Sequence, residues 1–379
     1  MKRVVVAMDS FKGSLSSVEA GAALAEGVRS VCADAVVNVV PIADGGEGTE
    51  EAVAVACGGR YHYAEVTDPL GRSIVARYVT INDDTTAIIA LAAASGLTLL
   101  SEEERNPLIT TTYGTGELIL DALRRGCRDV VVGLGGSATT DGGVGMLRAL
   151  GYRFYDAGGE ELCGKTIDIL ERVARVDDSG VCGLLQGATL RAMVDVDNPL
   201  TGPRGAANIF ARQKGAADED VERLDRALCR YAHVVDVSLG RTGADVYGSG
   251  AAGGVGFAFH TVLGCELISG IELILDFANV DALIADADLV VTGEGRIDTQ
   301  TLMGKAPSGV LRRAERCGVP CVAVGGSVDR SAPLDGCGFA GIYDSMPESM
   351  LLSEAMVPDR AKANLRSVGR RVAIDFLGV

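Results

Sequence analysis

The sequence predicts an α/β protein of two domains, built on parallel sheet with helices on its faces. Three observations carry that expectation. The chain has 379 residues, more than one hydrophobic core organises comfortably. Short apolar runs rich in β-branched residues recur along it, each of strand rather than helix length. Most of these runs end in a polar, glycine-rich segment that leads into a helical pattern, the strand–loop–helix order of a parallel sheet.

Taken in order, Lys2–Met8 is the first strand, and Asp9-Ser10-Phe11-Lys12-Gly13-Ser14 follows it. Ser16 with Glu19 three residues on is a capping box that opens a helix. Val36–Ile42 is the next strand, and Ala43-Asp44-Gly45-Gly46-Glu47-Gly48-Thr49 leads into a helix through Ala56. The pattern then changes. Arg60–Val66 and Ser73–Ile81 alternate in polarity across the turn Thr67-Asp68-Pro69-Leu70-Gly71-Arg72, which predicts a hairpin. Helix Gly114–Arg125, strand Asp129–Leu134 and the loop Gly135–Gly143 restore the earlier order. Arg191–Asp195 is a strand ending in Val196-Asp197-Asn198-Pro199-Leu200. Asp218–Val235 is the clearest amphipathic helix, with Val221, Leu224, Leu228, Tyr231 and Val235 on one face. Strand Ala287–Thr292, loop Gly293–Asp298, a helix from about Pro307, strand Pro320–Val324 and helix Pro358–Leu377 complete the chain. No fixed-period repeat or low-complexity linker marks a domain boundary.

Composition narrows the function classes. Net charge is −16 and no Lys/Arg-rich run occurs, which argues against nucleic acid and anionic membranes as partners. A phosphate-handling site in such a chain needs its own local cations. The 10 cysteines are scattered singly with no C-x-x-C pair, so reduced structural thiols and a cytoplasmic location are expected. The first apolar run is too short for a signal peptide, and none approaches the ~20 residues that span a bilayer. His62, His233 and His260 lie far apart, which disfavours a histidine metal site or a Ser–His–Asp triad.

The chemistry concentrates in loops at strand ends, where open α/β sheets bind ligands and helix amino termini favour anions. Four of these loops carry Asp or Glu, and Lys12, Arg296 and Lys305 lie in or near them. Phosphoryl transfer needs that mixture: cations on the moving phosphates, acids for Mg²⁺ and a base at the acceptor hydroxyl. Rival readings exist. Gly133-Leu134-Gly135-Gly136-Ser137-Ala138 matches G-x-G-x-x-A with Asp156 at a fitting distance, as in an NAD(P)-linked dehydrogenase. The same residues resemble the phosphate loop of galactokinase-like small-molecule kinases. Gly248–Gly253 is a second formal match without a convincing strand before it, and reads as a close-packed turn. Gly304-Lys305 is followed by Ala306, so there is no Walker A motif. A lone Asp44 or Asp141 caps a helix as readily as it binds a ligand. A non-catalytic small-anion-binding protein is the remaining class, and it gains nothing from so many loop acids.

Together the loops resemble those of the glycerate kinase family. The resemblance runs through Asp9–Leu15, Ala43–Thr49, Thr111-Thr112-Tyr113-Gly114-Thr115-Gly116-Glu117, Gly135–Gly143, Asp195–Leu200, Gln213-Lys214-Gly215-Ala216, Gly250–Gly254 and Thr292–Asp298 to Lys305. It implies a Rossmann-like domain formed by both chain ends (1–85 plus 280–379), an inserted α/β domain (86–279) and a site in the cleft between them. It implies ATP-dependent phosphorylation of D-glycerate, with Mg²⁺, most readily at the 2-hydroxyl. The alternatives are the 3-hydroxyl or a related small hydroxy acid, in a monomer or homodimer. The expected base is Asp195, with Asp141 and Asp44 as rivals. Lys12, Lys214 and Lys305 are expected on phosphates, Arg296 on the substrate carboxylate, and Asp44 and Glu47 at the metal. Further contacts to substrate or nucleotide are expected from Asp9, Ser10, Gly45, Gly46, Ser137, Thr139, Asp141, Gly142, Asn198, Glu294 and Asp298. Ala90, Ala211-Arg212 and Thr140 depart from the family pattern.

Overall fold

Apolar β-branched runs become parallel strands where helices cover both sheet faces. The computed structural model describes every residue except Glu47, Met303, Asp335, Glu348 and Val379. Its strands, in chain order, are β1 Arg3–Met8, β2 Val36–Pro41, β3 Arg60–Thr67, β4 Ser73–Ile81, β5 Thr86–Ala90, β6 Asp129–Gly133 and β7 Arg153–Tyr155. They continue with β8 Arg175–Asp177, β9 Thr189–Met193, β10 Glu266–Ile268, β11 Leu289–Ile297, β12 Cys321–Val328 and β13 Gly341–Asp344. The chain divides into two compact units, one of Met1–Asp44, Glu51–Gly58 and Gly270–Val379, the other of Gly45–Glu50 and Gly59–Ser269.

The first unit holds a five-stranded sheet in the order β13-β12-β11-β1-β2, parallel throughout. Alternation along β1 feeds two cores. Val4, Val6 and Met8 pack with residues of helices Ser17–Arg29 and Pro358–Leu377, while Val5 and Ala7 pack with helix Ala306–Cys317. The capping box is present: Glu19 N–H donates to Ser16 Oγ at 3.3 Å and Ser16 N–H to Glu19 Oε2 at 3.1 Å. Helices Ser17–Arg29 and Pro358–Leu377 touch backbone to backbone. A Cβ on Gly27 would collide with the Arg366 carbonyl oxygen, and one on Gly369 with that of Leu24.

The second unit carries a six-stranded sheet, β10-β9-β6-β5-β4-β3. Its β5, β6, β9 and β10 are parallel neighbours, while β4 and β3 add an antiparallel hairpin. Helix Asp218–Leu239 buries the predicted face, Val221, Leu224, Leu228, Tyr231 and Val235.

Several expectations shift. The chain crosses between units at 44–59 and at 269–270, rather than near 85 and 280, because the hairpin pairs with β5 and so joins the second sheet. The strand read to Thr292 runs on to Ile297, since β12 pairs with it as far as Ile297↔Val328. β9 stops at Met193, leaving Asp195 beyond it. Gly248–Gly253 does lead into a packed turn, where Ala252, Gly253 and Gly254 hold φ of 51, 69 and 96°. Among the described residues, no helix is long and apolar enough to cross a membrane.

Gly27→Ala tests the helix contact. Alanine is the better helix former by about 1 kcal/mol, yet the collision is expected to destabilise the protein by about 1–3 kcal/mol. Urea unfolding of the two proteins measures this.

Candidate functional site

In the first unit the carboxyl ends of all five strands converge on one cavity of ≈ 380 Å³. β1 leads into Asp9 and Ser10, the chain after β2 brings Asp44, β11 carries Glu294 and Arg296, β12 Ser327, and Ser345 follows β13. Eight of the predicted residues line it: Asp9, Ser10, Lys12, Asp44, Glu294, Arg296, Asp298 and Lys305. Glu47 lies outside the described residues.

The cavity's electrostatics follow from burial. Asp9 is buried at the strand end and accepts from Ser10 N–H at 2.6 Å. Desolvation, then repulsion from Asp44 and also Glu294, pushes its pKa up to about 7, against the pull of the Ser10 bond and Lys12. Burial also raises Glu294, which accepts from Thr301 Oγ1 at 2.7 Å and has Lys305 Nζ 3.8 Å away. The exposed Arg296 pairs with Asp329 at 3.0 Å and with Asp298 at 3.7 Å. Among the described residues, no three His, Cys, Asp or Glu side chains form a metal cage.

A second cluster lies wholly in the second unit. Lys214 is buried and donates to Ser137 Oγ at 2.7 Å and to the Thr139 carbonyl at 2.6 Å. Burial lowers its pKa to about 7, with Asp141 opposing. Asp141 itself is 1% exposed. Its Oδ2 accepts from Thr112 N–H at 2.8 Å, Thr112 Oγ1 at 2.7 Å and Gly145 N–H at 3.1 Å, and its Oδ1 from Gly143 N–H at 3.0 Å. Burial raises its pKa while these bonds oppose. Four donors use the acceptor capacity of a carboxylate. Asp141 therefore staples the loop together. Gly142, at φ +62°, packs against Tyr231, whose Cε1 would lie 2.8 Å from an added Cβ; it too shapes the loop.

The glycines of the dinucleotide-like match have another cause. A Cβ on Gly133 would lie 2.6 Å from the Gly45 carbonyl oxygen, and one on Gly135 2.7 Å from Gly46 Cα. Close chain packing demands these glycines, and the helix that follows, Val144–Ala149, has only six residues. The dehydrogenase reading loses its main support. Asp195 is exposed two residues past β9. Asn198 Nδ2 donates to the Arg204 carbonyl at 2.8 Å, holding its own turn. Of the family departures, Arg212 is exposed and donates to Asp218 at 2.9 Å, Ala90 N–H donates to Glu50 at 3.1 Å, and Thr140 is buried.

Among the lining residues that the sequence did not single out are Phe11, Leu352, Ala355, Met356, Ala361 and Asn364. Apart from Phe11, which sits inside a recognised loop, they belong to no charged or glycine-rich motif. The signal that marked the other residues is absent from them.

The chain matches the model of the Glycerate kinase family over residues 4–377. It is 45% identical over 326 residues to "Glycerate 2-kinase" of Escherichia coli K12, covering 86% of this chain and 85% of that one. It is 47% identical over 328 residues to "Glycerate kinase" of Bacillus cereus, with coverage of 86% and 85%. With "Glycerate kinase" of Halalkalibacterium halodurans it shares 41% identity over 375 residues, 99% of this chain and 98% of the other. A crystal structure of a Salmonella typhimurium LT2 protein assigned as glycerate kinase 2 superposes with a TM-score of 0.88 at 42% identity, covering 100% of this chain and 98% of that one.

Lys214 yields a pH prediction. The unfolded chain keeps the lysine proton to about pH 10.4, while the native one releases it near 7. Between those values the unfolded state binds more protons, so this group makes stability rise with pH, by up to about 1.4 kcal/mol per unit. Below pH 7 both states are protonated and its contribution is flat. Lys214→Met is expected to remove that slope in urea titrations from pH 7 to 10.

Proposed function

The chain belongs to the glycerate kinase family, and from that premise we propose that it transfers the γ-phosphoryl group of ATP to the 2-hydroxyl of D-glycerate, giving 2-phospho-D-glycerate and ADP. The observation that carries the reading is the convergence of buried acids and loop cations at the carboxyl edge of the first unit's sheet. Catalysis of phosphoryl transfer is mostly positioning and charge stabilisation, and these are the groups it needs.

Lys12 and Lys305 are the proposed phosphate ligands, with Lys305 steered by Glu294 across 3.8 Å. Asp9, Asp44 and Glu294 fit Mg²⁺. They line one cavity and offer oxygen donors, the ligand type that Mg²⁺ takes together with waters and substrate phosphates. When bound, that ion neutralises charge on the β- and γ-phosphates. Ser10 and Asp298 line the same cavity and are proposed as further polar contacts to its ligand. Arg296 is the proposed partner of the glycerate carboxylate, its guanidinium oriented by Asp329 and Asp298.

Asp195 is the proposed base that takes the proton of the attacking hydroxyl. Its exposure just past the end of β9 supports this, since a base must be reachable by the substrate hydroxyl. Lys214, first expected on phosphate, is better read as the clamp that holds Ser137 and Thr139 in place. Gly45 and Gly46 are proposed to serve by close packing under Gly133 and Gly135, and Asn198 by holding the turn after Asp195.

ADP release from ATP, D-glycerate and Mg²⁺, read through coupled enzymes, tests the reaction, and phosphorus NMR of the product tests the position. We expect turnover and the resonance of 2-phosphoglycerate. A 3-phosphoglycerate resonance reassigns the acceptor hydroxyl, and folded protein without turnover overturns the substrate. Asp195→Asn is expected to lower kcat by about 10²–10⁴ with little change in either KM; a near-normal kcat removes Asp195 from the base role.

A further inference from the structure

The first unit's cavity draws on two chemically different sources. Strand ends and the loops after them supply its charged groups, Asp9, Lys12, Asp44, Glu294 and Lys305. The segment 352–361 supplies apolar ones, Leu352, Ala355, Met356 and Ala361. Glycerate, a three-carbon acid with two hydroxyls, has no surface to match an apolar wall, and ≈ 380 Å³ is generous for it. A triphosphate alone has none either. The ligand with one highly charged end and one flat apolar end is a nucleoside triphosphate.

Exposure supports the same occupant. Leu351, Leu352, Met356 and Val357 are 72, 59, 37 and 48% exposed, four large apolar side chains within seven residues. Apolar clusters of that kind on a folded surface mark a binding site. Asn364 also lines the cavity, and its Nδ2 donates to Met350 Sδ at 3.5 Å, which orients the amide. A primary amide presents a donor and an acceptor side by side, the pair that an adenine edge satisfies.

We infer that this cavity binds ATP in one direction: the adenine rests on the wall of Leu352, Ala355 and Met356 with Asn364 at its edge, and the triphosphate extends to Lys12 and Lys305. The inference rests on the kinase reading above and adds the location and polarity of the nucleotide.

Ala355→Trp fills the wall at a half-buried position of the cavity lining. It is expected to raise the KM for ATP by at least about tenfold and leave that for glycerate within about threefold. Asn364→Leu, close in size but without the amide, is expected to raise the KM for ATP by about tenfold. Calorimetry supplies a readout independent of glycerate turnover. Adenosine and ADP are expected to bind the unaltered enzyme and to lose affinity in both variants, while inorganic tripolyphosphate binds all three alike. An enzyme that binds adenosine but does not phosphorylate glycerate refutes the substrate and keeps the nucleotide site. Variants that raise only the KM for glycerate, or that bind adenosine as the unaltered enzyme does, overturn the inference.

Discussion

Carboxylates brought to one edge of a parallel sheet lose water and repel each other, and the first unit's cavity bears both costs. Pairing of β1 with β11 matches Met8 to Gly293, and pairing with β2 matches Met8 to Pro41. The residues that come next include Asp9 and Glu294, and Asp44 follows close behind. Parallel register alone therefore gathers them, whatever their charge. Relative to a carboxylate in water, ionised Asp9, its pKa pushed up to about 7, costs on the order of 4 kcal/mol here, desolvation first and repulsion from Asp44 and Glu294 after it. A divalent cation held by Asp9, Asp44 and Glu294 would offset this cost by supplying positive charge beside them.

Local chemistry was legible in the sequence. The Ser16–Glu19 capping box, the hairpin about Pro69 and the apolar face of Asp218–Leu239 depend on residues a few positions apart, and each formed as expected. What escaped depends on distant partners. The continuation of β11 through Gly293 and Glu294 follows from β12 lying beside it, which no local pattern contains. The unit boundary moved because β4 pairs with β5, a strand of five residues reached through Asn82, Asp83 and Asp84 in the left-handed region. Much of the charged half of the site was readable, since polar residues at strand ends announce themselves. The apolar half was not, because leucine, alanine and methionine look the same whether they wait for a ligand or for the rest of the protein.

Glycine was the most ambiguous residue. Gly133 and Gly135 sit in a phosphate-loop pattern, and the close approach that such a pattern signals is real. The approaching group is Gly45–Gly46 of the same chain, within the second unit. An absent Cβ records that something comes near and not what it is. Asp141 shows the same ambiguity in a charged residue: loop position and residue type suit a ligand, and four internal donors claim it first.

The position of β1 between β2 and β11 also sets an order on biosynthesis. When β2 leaves the ribosome, the other edge of β1 has no partner until β11 follows, roughly 250 residues later. At about 5–20 residues per second that interval lasts about 10–50 s. The second unit emerges whole within it, so the later part of the polypeptide matures while the earlier part waits. During those seconds an apolar strand edge stays open to the nascent chains of neighbouring ribosomes, the situation in which a holdase protects against aggregation.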